Sequence, residues 1–545
     1  MPGLLEFDNT SLALASLVVL ALVAHYQLRP APPHIHPFLL GRQSTPAPTR
    51  YQNESPVYRS SGQVPISGAY RPSPAVKTLA DALAGSNSVF EGGERGTWIR
   101  GGDQVVELVA ALRAGLLSKF AGLEGKVLVA VQDPTDALLV TLALATSPLK
   151  PVVLAPGSTL PSGLDVVASV QSTDGSLSEQ SLPSGTKTVL LGEEHKEEAY
   201  EILATGRSQA VEAASAQPSD VALIIVSDGT ALDLTHQNLT TSIVSWLSLF
   251  PASPQATRPT IKDFIVSFHH PSTPYGLGLA LLAIYQSSSL SLLSLPAEPP
   301  AEADTLLEML KTRSSPPANL IFAPTAILAQ PLYTLILQQM LGDAGGIVKH
   351  ARNGKLRLLR TGTVSKQTIW DALLFKGIRK DINLTSLRAL FLSGPLEQSR
   401  GETFRAALGC SVVSTLEHPF LLAPLSTAHM WDVQRLPPPG TKQINGREMG
   451  HVGALTVGLE IKFKGEESEF EAGRVRGEIL LRTPLLPLPS SLPSALLATD
   501  ESLPPLPNYP HKPAASTEAG KWLKTGVRAE MSTEGTLWIE ERGLK

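Results

Sequence analysis

The sequence predicts an α/β protein whose parallel sheets are covered by helices on both faces. Short apolar runs rich in β-branched residues alternate with stretches of helical periodicity over most of the chain. That alternation is typical of parallel sheets buried between layers of helices. Apolar residues make up 43% of the chain and charged residues 17%, which indicates a globular rather than a disordered protein. With 545 residues, the chain is long enough for two or more domains.

The first helices and strands follow this rhythm in order. Residues 103–117 (DQVVELVAALRAGLL) have apolar side chains at helical spacing, and residues 126–131 (KVLVAV) form a short run typical of a buried strand. A second helix is predicted at 137–145 and a second strand at 151–154. Further strands are predicted at 188–191, 221–226, 263–267 and 319–322.

The last third of the chain has a different pattern. Residues 453–463 (GALTVGLEIKF) and 477–482 (GEILLR) alternate in polarity, which predicts a smaller antiparallel unit. Residues 484–513 are rich in Pro, Ser and Leu and are expected to form an inserted surface loop. The main domain is therefore predicted to extend over residues 75–545, with this insertion inside it.

The beginning of the chain predicts attachment to a membrane. Residues 12–24 (LALASLVVLALVA) are almost purely apolar, although this run is shorter than the roughly 20 residues of a comfortable span. Acidic residues precede it and Arg29 follows it, so the downstream side is expected in the cytosol. We predict an anchor over residues 1–28, with a buried or interfacial helix as the alternative. Residues 29–74 are Pro-rich and are expected to form an extended tether or an arm along the surface.

Charge and cysteine content exclude several functional classes. The formal net charge is −4, so no overall basic field points to a nucleic-acid partner. The single cysteine, Cys410, excludes a disulfide framework and a cysteine-rich metal site. This usage fits a body that faces the cytosol.

One short stretch, IIVSDGTALDLTHQNLT from residue 224, has the beginning of a phosphate-binding loop. An apolar run leads into Ser227, Gly229 and Thr230, the composition of a turn that grips a nucleotide. Such a loop should continue with more glycine and a lysine, but here the sequence proceeds to a helix start. The alternative interpretation, a plain strand-to-helix turn, is preferred for this segment.

Several segments, in a fixed order, together resemble one protein family. They are SDGT with LTHQNL, FHHPSTPYGLGLALL from residue 268, NLIFAPTAI from 319, LRALFLSGPL from 387, STLEHP from 414, GHVGALTVGLEIKF from 450, GEILLRTP from 477, WLKTG from 522 and GTLWIEERG from 535. In this order they resemble the acyl-adenylate-forming (AMP-binding) superfamily of acyl-CoA synthetases, peptide-synthetase adenylation domains and luciferases. Two more segments, HPFLLGRQS with ESPVYRS near the start and IWDALLFKGIRKDI from 369, are similar to fungal long-chain fatty acyl-CoA synthetases.

The resemblance implies a fold and a chemistry. The expected fold is the large N-terminal domain of an acyl-adenylate synthetase, with two α/β subdomains and a smaller β unit. The implied activity is that of an ATP-dependent long-chain fatty acid–CoA ligase, with ATP, Mg²⁺ and CoA as cofactors and a long-chain acyl group as ligand. By position, the family's nucleotide- and acyl-site residues fall on Ser227, Gly229, Thr230, His270, Ser393, Gly394, Glu417 and Arg542. Glu417 corresponds to the Mg²⁺ ligand, and Arg542 to the arginine that contacts the ribose.

The sequence departs from the family pattern within the nucleotide site. The phosphate loop lacks its second glycine, its proline and its lysine. Val413 and Ser414 replace the tyrosine and glycine that shape the adenine pocket, and Leu416 replaces a threonine. Val527 stands where the family has an aspartate that accepts hydrogen bonds from the ribose, and a valine side chain accepts none. The family continues beyond the position of Lys545 with a domain that carries the catalytic lysine, so no catalytic residue is assigned.

Three hypotheses for function follow from these departures. The first is an acyl-CoA synthetase-like membrane protein of lipid metabolism whose adenylation is lost or strongly reduced, and which binds an acyl chain or an active synthetase. The second is an active ligase that completes its site with another chain. The third is an incorrect gene model of an ordinary enzyme, which the single-residue replacements disfavour. The expected location is the endoplasmic reticulum, with the peroxisome, the mitochondrial outer membrane and the lipid droplet as alternatives.

Overall fold

The fold was analysed on a computed structural model of the whole chain. The residues that the structure describes are 9–27, 45–46, 53–60, 70–90, 104–161, 163–172, 186–209, 211–227, 229–250, 260, 262–294, 302–312, 317–341, 345–432, 443–444, 447–466, 468–470, 475–499, 521–532 and 535–540.

The described residues form an alternation of helices and strands. The helices are α1 (Asn9–Gln27), α2 (Leu79–Leu83), α3 (Val105–Lys119), α4 (Pro134–Ala145), α5 (Lys196–Ser208), α6 (His236–Leu247), α7 (Pro274–Tyr285), α8 (Ala303–Thr312), α9 (Thr325–Leu341), α10 (Gly345–Arg360), α11 (Lys376–Asp381) and α12 (Gln398–Leu408). A π-helical turn, Asp371–Phe375, leads directly into α11.

The strands are β1 (Thr45–Pro46), β2 (Tyr58–Arg59), β3 (Lys126–Ala130), β4 (Lys150–Leu154), β5 (Ala168–Ser172), β6 (Lys187–Leu191), β7 (Val221–Ser227), β8 (Thr230–Thr235), β9 (Phe264–Ser267), β10 (Ser289–Leu292), β11 (Leu320–Pro324), β12 (Ala389–Ser393), β13 (Ser411–Leu416), β14 (Ser426–Thr427), β15 (Gln443–Ile444), β16 (Arg447–Glu448), β17 (Ala454–Leu455), β18 (Glu460–Lys464), β19 (Val475–Arg482), β20 (Leu497–Thr499), β21 (Lys521–Met531) and β22 (Leu537–Ile539).

Two mixed sheets, each with a parallel centre, form the main body, as the sequence predicts. The first has the order β6-β5-β3-β4-β7-β8, in which only β8 is antiparallel to its neighbour. The second has the order β10-β9-β11-β12-β13-β14-β17, with a parallel run from β10 to β13. Consecutive residues Val127, Leu128 and Val129 of β3 are all buried, so both faces of the sheet are covered. This burial explains the continuous apolar runs of the predicted strands.

Polar residues at the ends of the strands start the helices. Asp133 caps α4, its carboxylate accepting from the backbone N–H groups of Thr135 and Asp136. Thr235 and Asn238 form a capping box at the start of α6. Thr273 caps α7 and Pro274 occupies its first position, where a proline fits without loss of a hydrogen bond. These caps fix where each helix leaves the sheet edge.

The predicted antiparallel unit is present as a third sheet. Its order is β1-β2-β18-β19-β21-β20, with β22 paired to β21. The N-terminal arm contributes β1 and β2, and β2 pairs with β18. Tyr58 packs edge-on against Phe463, with ring centroids 5.9 Å apart. A salt bridge of 2.6 Å joins the Lys462 amine to Glu54.

Three sequence predictions need correction here. The segment after Gly229 is the strand β8 rather than a direct lead into a helix. The predicted strand at 453–463 is divided, because β17 pairs with β14 of the second sheet and β18 with β19 of the third. The described part of the predicted insertion at 484–513 is integrated into the fold. There Leu485 and Leu492 are buried, and the Asn238 side chain donates to the carbonyls of Pro484 and Leu486.

Helix α1 carries the apolar segment predicted as a membrane anchor. Its side chains from Leu12 to Leu22 are exposed. Within the described stretches of chain, no helix combines the length and apolarity needed to cross a bilayer. The transmembrane anchor predicted at residues 1–28 is therefore not supported, which agrees with an apolar run shorter than the roughly 20 residues of a span.

Candidate functional site

The candidate site lies where parallel strands of the second sheet end. Strands β9, β11, β12 and β13 lead at their carboxyl ends into His269, Thr325, Gly394 and Glu417, respectively. The carboxyl ends of parallel strands form the usual ligand-binding edge of open α/β sheets. The parallel register therefore brings together residues that are far apart in the sequence.

Glu417 and His269 are in contact at this edge. The carboxylate oxygen Oε2 of Glu417 lies 3.4 Å from Nδ1 of His269. Partial burial raises the pKa of Glu417, whose side chain is 40% exposed on its open side, and the nearby hydroxyl of Ser393 partly opposes the shift. Burial lowers the pKa of His269 to about 3, so its imidazole is neutral at physiological pH. The pair is therefore a neutral imidazole beside a carboxyl group that is hard to ionise, rather than a strong ion pair.

Tyr275 closes one side of this pair. Its ring centroid lies 4.5 Å from that of His269, and its hydroxyl is hydrogen-bonded to the Thr415 hydroxyl at 2.9 Å. Burial and then the negative charge of Glu417 raise the pKa of Tyr275. The phenol is therefore a neutral hydrogen-bonding wall of the site.

Ser393 and Gly394 form the turn at the end of β12. The φ angle of Gly394 is +109°, a conformation that favours glycine. Its N–H donates to the Thr415 carbonyl at 2.7 Å, and its carbonyl accepts from the Thr325 hydroxyl at 3.2 Å. The buried hydroxyl of Ser393 lies near Glu417, whose pKa it lowers, but it has no partner at full hydrogen-bonding geometry among the described residues. Because buried polar atoms are rarely left unpaired, this hydroxyl is a candidate ligand contact.

His270, which the resemblance places in the site, is bound within the protein through both ring nitrogens. Its Nε2 lies 3.0 Å from the Gln132 carbonyl, and its Nδ1 accepts from the N–H of Ser272 at 3.2 Å. Burial lowers the pKa of His270 to about 4. This geometry makes Nε2 the donor and leaves His269, the preceding residue, to contact Glu417. The side chain of His270 thus ties the end of β9 to the loop after β3.

The segment predicted as a phosphate loop is a tight hairpin. Ser227 and Thr230 lie opposite each other in the antiparallel β7–β8 ladder, so two residues connect the strands. Gly229 has a φ of +72°, as tight hairpin turns require. The preferred prediction of a strand-to-helix turn is wrong in detail, because β8 separates the turn from α6.

Of the two remaining positions that the resemblance assigns to the ribose, the structure describes only that of Val527. Val527 is partly buried and packs against the main apolar core. Arg542 lies outside the described residues. Among the residues that the structure places, no group of three or more His, Cys, Asp or Glu could hold a metal ion. Glu417 is thus a single carboxylate with a histidine beside it.

The segment IWDALLFKGIRKDI contains a buried ionic network that sequence reasoning did not identify. Asp371 accepts from the Lys355 amine, from Arg379 Nη1 at 2.8 Å, and from the hydroxyl of Thr368 at 2.7 Å. Arg379 also donates to the Ala407 carbonyl. The spacing of Asp371 and Arg379, two turns apart, was the available signal. Their role is to fix this helix on the body of the domain.

Comparison with known proteins identifies the fold. No family model matches the sequence, and no curated protein matches it. Among solved structures, the long-chain-fatty-acid-CoA ligase from Archaeoglobus fulgidus has a TM-score of 0.57 at 15% identity, covering 88% of this chain and 86% of that chain. The Mycobacterium tuberculosis fatty acyl CoA synthetase has a TM-score of 0.54 at 14% identity, covering 86% and 78%. The luciferase-like enzyme from the mealworm Zophobas morio has 0.55 at 13% identity, covering 87% and 97%.

The similarity extends over most of this chain at low sequence identity. It shows that the chain has the mixed α/β fold of the large domain of adenylate-forming enzymes, as the sequence resemblance predicts. Because a fold can carry many chemistries, function has to be argued from the residues of the site.

Proposed function

We propose that this chain is a long-chain fatty acyl-CoA synthetase-like protein that retains an acyl-binding site and has lost most or all adenylation activity. The observation that carries the proposal is the hairpin at Ser227–Thr230, which stands where the resemblance places the phosphate loop. The acyl ligand and the ligase-like ancestry rest on the fold similarity and on the motifs.

The hairpin fits a triphosphate poorly. Phosphates are held by several backbone N–H groups that converge on them and by cationic side chains. Here Ser227 and Thr230 are partners in a ladder, and only Asp228 and Gly229 connect them in the sequence. The segment offers no lysine, and Asp228 adds a negative charge that repels phosphate.

The ribose position is also unsuited to a nucleotide. Val527 packs into the core, where its side chain contributes to stability and accepts no hydrogen bond. The family's Asp would accept from both ribose hydroxyls, and losing a charged acceptor costs about 1.5–3 kcal/mol. Glu417 alone provides one carboxylate toward Mg²⁺, and its raised pKa weakens it as a ligand. The residues do not fit Mg–ATP, so no adenylation step is assigned to them.

The strand edge around Glu417 fits an acyl head group better. The Ser393 hydroxyl can donate to a carboxylate or a thioester carbonyl, because it is buried and only the nearby Glu417 competes for it in the described chain. His269 and Tyr275 are both neutral and surround the same edge. A neutral polar rim beside buried apolar side chains is the usual composition of a small-molecule pocket.

Acyl binding is tested by thermal shift and calorimetry with oleate and other chain lengths. We expect saturating oleate to raise the melting temperature of the parent and to raise it less in Ser393→Ala. A matched control, Ser227→Ala, should respond like the parent because it lies on the hairpin. No shift with any chain length would refute acyl binding.

Loss of catalysis is tested by acyl-dependent ATP–pyrophosphate exchange. If the altered loop and the altered ribose position each cost about 2–4 kcal/mol of transition-state stabilisation, the rate falls by roughly three to six orders of magnitude. We expect no exchange from the parent and no rescue by Val527→Asp, because the hairpin remains. Measurable acyl-CoA synthesis that Glu417→Ala abolishes would favour an active ligase instead.

The second candidate function is a ligase that completes its site with another chain. The half-exposed Glu417 favours it, because a carboxyl open to one side can be reached by a partner. Mixing the chain with an active long-chain synthetase should then raise the rate beyond that of the synthetase alone. An unchanged rate would leave the acyl-binding role.

Attachment to a membrane with the body in the cytosol, most simply at the endoplasmic reticulum, is proposed for the location. Its support is the row of exposed apolar side chains on α1, such as Leu17 and Leu20, which are 69% and 72% exposed. Removal of residues 1–28 should lower the fraction of the protein that is found with membranes. An unchanged membrane-bound fraction of this variant would contradict the role of α1.

A further inference from the structure

A second exposed apolar surface lies far from α1 in the sequence. Outside α1, the described chain has three exposed large apolar side chains: Val211, Ile369 and Leu373. Val211 is 37% exposed, whereas Ile369 and Leu373 are 76% and 70% exposed. Ile369 and Leu373 are four residues apart in one helical segment, so they lie side by side.

The fold holds this segment rigidly. Trp370 packs on α10, with its ring 5.4 Å from that of His350, and Phe375 is fully buried on the other side. On its buried side, the segment is held by the ion pairs of Asp371 with Lys355 and Arg379. Ile369 and Leu373 are therefore presented to solvent by a firmly packed helix. We name the exposed side chains Ile369, Ala372, Leu373, Lys376 and Lys380 the 369–380 face.

Basic side chains accompany the apolar pair. Lys376 and Lys380 lie on the same face, one and two turns beyond Leu373. Helix α10, which contacts Trp370, adds the exposed Lys349, Arg357 and Arg360. None of these five cations has an ion-pair partner among the residues that the structure describes. Asp381, at the end of α11, is an exposed acid beside them.

We propose that the 369–380 face docks on the surface of an anionic lipid bilayer. A helix lying in the interface buries its apolar side chains about 5–10 Å deep, at the level of the headgroups. Lysine and arginine side chains at its border are attracted to anionic headgroups over about a Debye length. Ile369 and Leu373 match the first requirement, and the five exposed cations match the second.

Other occupants fit this face less well. A specific protein interface buries about 800 Å² on each partner, far more than two exposed aliphatic side chains supply. A second copy of the chain would bring its own cluster of cations against this one, and like charges repel. The lipid surface requires only a small apolar insertion and a diffuse negative charge. The inference does not depend on the acyl-binding role or on α1.

The first test is vesicle co-sedimentation with the full-length chain. Vesicles of phosphatidylcholine are compared with vesicles that also contain phosphatidylserine, using the double variant Ile369→Ser/Leu373→Ser. We expect the double variant to bind the anionic vesicles at least about tenfold more weakly than the parent, since two large aliphatic side chains no longer insert. Val211→Ser, the matched control at the third exposed aliphatic position, should bind like the parent. Equal binding by the double variant and the parent overturns the proposal.

Charge and insertion are tested separately. Lys376→Glu/Lys380→Glu should remove the preference for phosphatidylserine, and added salt should weaken the parent in the same way. Brominated lipids should quench the fluorescence of Trp370, measured as the difference between the parent and Trp370→Phe. Absence of this quenching overturns the proposal. The proposal is also overturned if light scattering shows that the parent self-associates and that the Ile369/Leu373 double variant does not, since that result assigns the face to a second copy of the chain.

Discussion

Replacing Asp371 tests whether the buried ionic network holds the 369–381 segment in place. The Asp371 side chain is 3% exposed, and those of Lys355 and Arg379 are each 4% exposed. In Asp371→Ala, both cations lose their shared acceptor and the Thr368 hydroxyl loses its partner. The buried cations then keep only backbone carbonyls as partners, of Ser365 for Lys355 and of Ala407 for Arg379, with no negative charge to offset their own, which is the costly way to break such a network.

The expected loss of stability follows from this burial. Removing one partner of a buried ion pair costs about 3–5 kcal/mol, because the desolvation of the remaining charge is no longer offset. Because the urea m-value of a chain this long exceeds the roughly 1–3 kcal/mol per M of small proteins, the unfolding midpoint should fall by about 1 M. The exposed Asp381, at the end of the same helical segment, is the matched control. Asp381→Ala should change the midpoint little.

The assay is urea unfolding followed by tryptophan fluorescence, since Trp370 precedes Asp371 and reports on the same packing. Burial alone would raise the pKa of Asp371, but hydrogen bonds from Lys355, Thr368 and Arg379 outweigh it and lower the pKa. A lowered carboxyl pKa gives stability that is present above the unfolded value of about 3.9 and lost as pH falls through the folded value. The difference in urea midpoint between the parent and Asp371→Ala should therefore be largest at neutral pH and should shrink below about pH 4. Equal midpoints for Asp371→Ala and Asp381→Ala at pH 7 would refute the reasoning.

Two further predictions concern the sheet edge and its helix. Gly278→Ala should destabilise the protein by about 1–3 kcal/mol, because its Cβ would lie 1.8 Å from the Leu422 carbonyl oxygen. The control Gly377→Ala, where the Cβ meets open space, should be neutral or stabilising by up to about 1 kcal/mol. Similar thermal midpoints for the two variants would contradict this prediction. Glu417→Gln should stabilise the protein at pH 7. The pKa of Glu417 is higher in the folded than in the unfolded state, so ionisation of this carboxyl at neutral pH lowers the free energy of unfolding. That gain should disappear in melts below about pH 4, where the parent is protonated in both states, and a gain independent of pH would contradict the assignment.

Much of the fold could be predicted because buried parallel strands have a strong sequence signal. The runs that became β3, β4 and β7 are apolar on both faces, and the helices between them have clear caps. Strand β8 was missed, although Leu232 and Leu234 alternate with Asp233, because it is short and runs directly into the Thr235 cap. A six-residue edge strand beside a helix start has too few residues for its period to be distinguished.

The candidate site was predictable only at the level of strand ends. The resemblance assigned Ser393, Gly394 and Glu417 to one site, and the structure shows that they lie at the ends of the neighbouring parallel strands β12 and β13. Which of the adjacent residues His269 and His270 faces Glu417 was not predictable, because the contact of His270 with the Gln132 carbonyl sets the path of the turn. The position of the Ser393 hydroxyl beside Glu417 was also invisible in the sequence, since it depends on the geometry of two neighbouring strands.

The pairing of β2 with β18 has a consequence for biosynthesis. Glu54 and Lys462, which join the N-terminal arm to the third sheet, are 408 positions apart in the chain. At a translation rate of about 5–20 residues per second, the arm leaves the ribosome about 20–80 seconds before its partner strand exists. During that interval Tyr58 has no Phe463 to pack against, and its strand edge is open to any other extended chain. A chaperone that shields short extended segments is therefore expected to engage the arm until the third sheet is made.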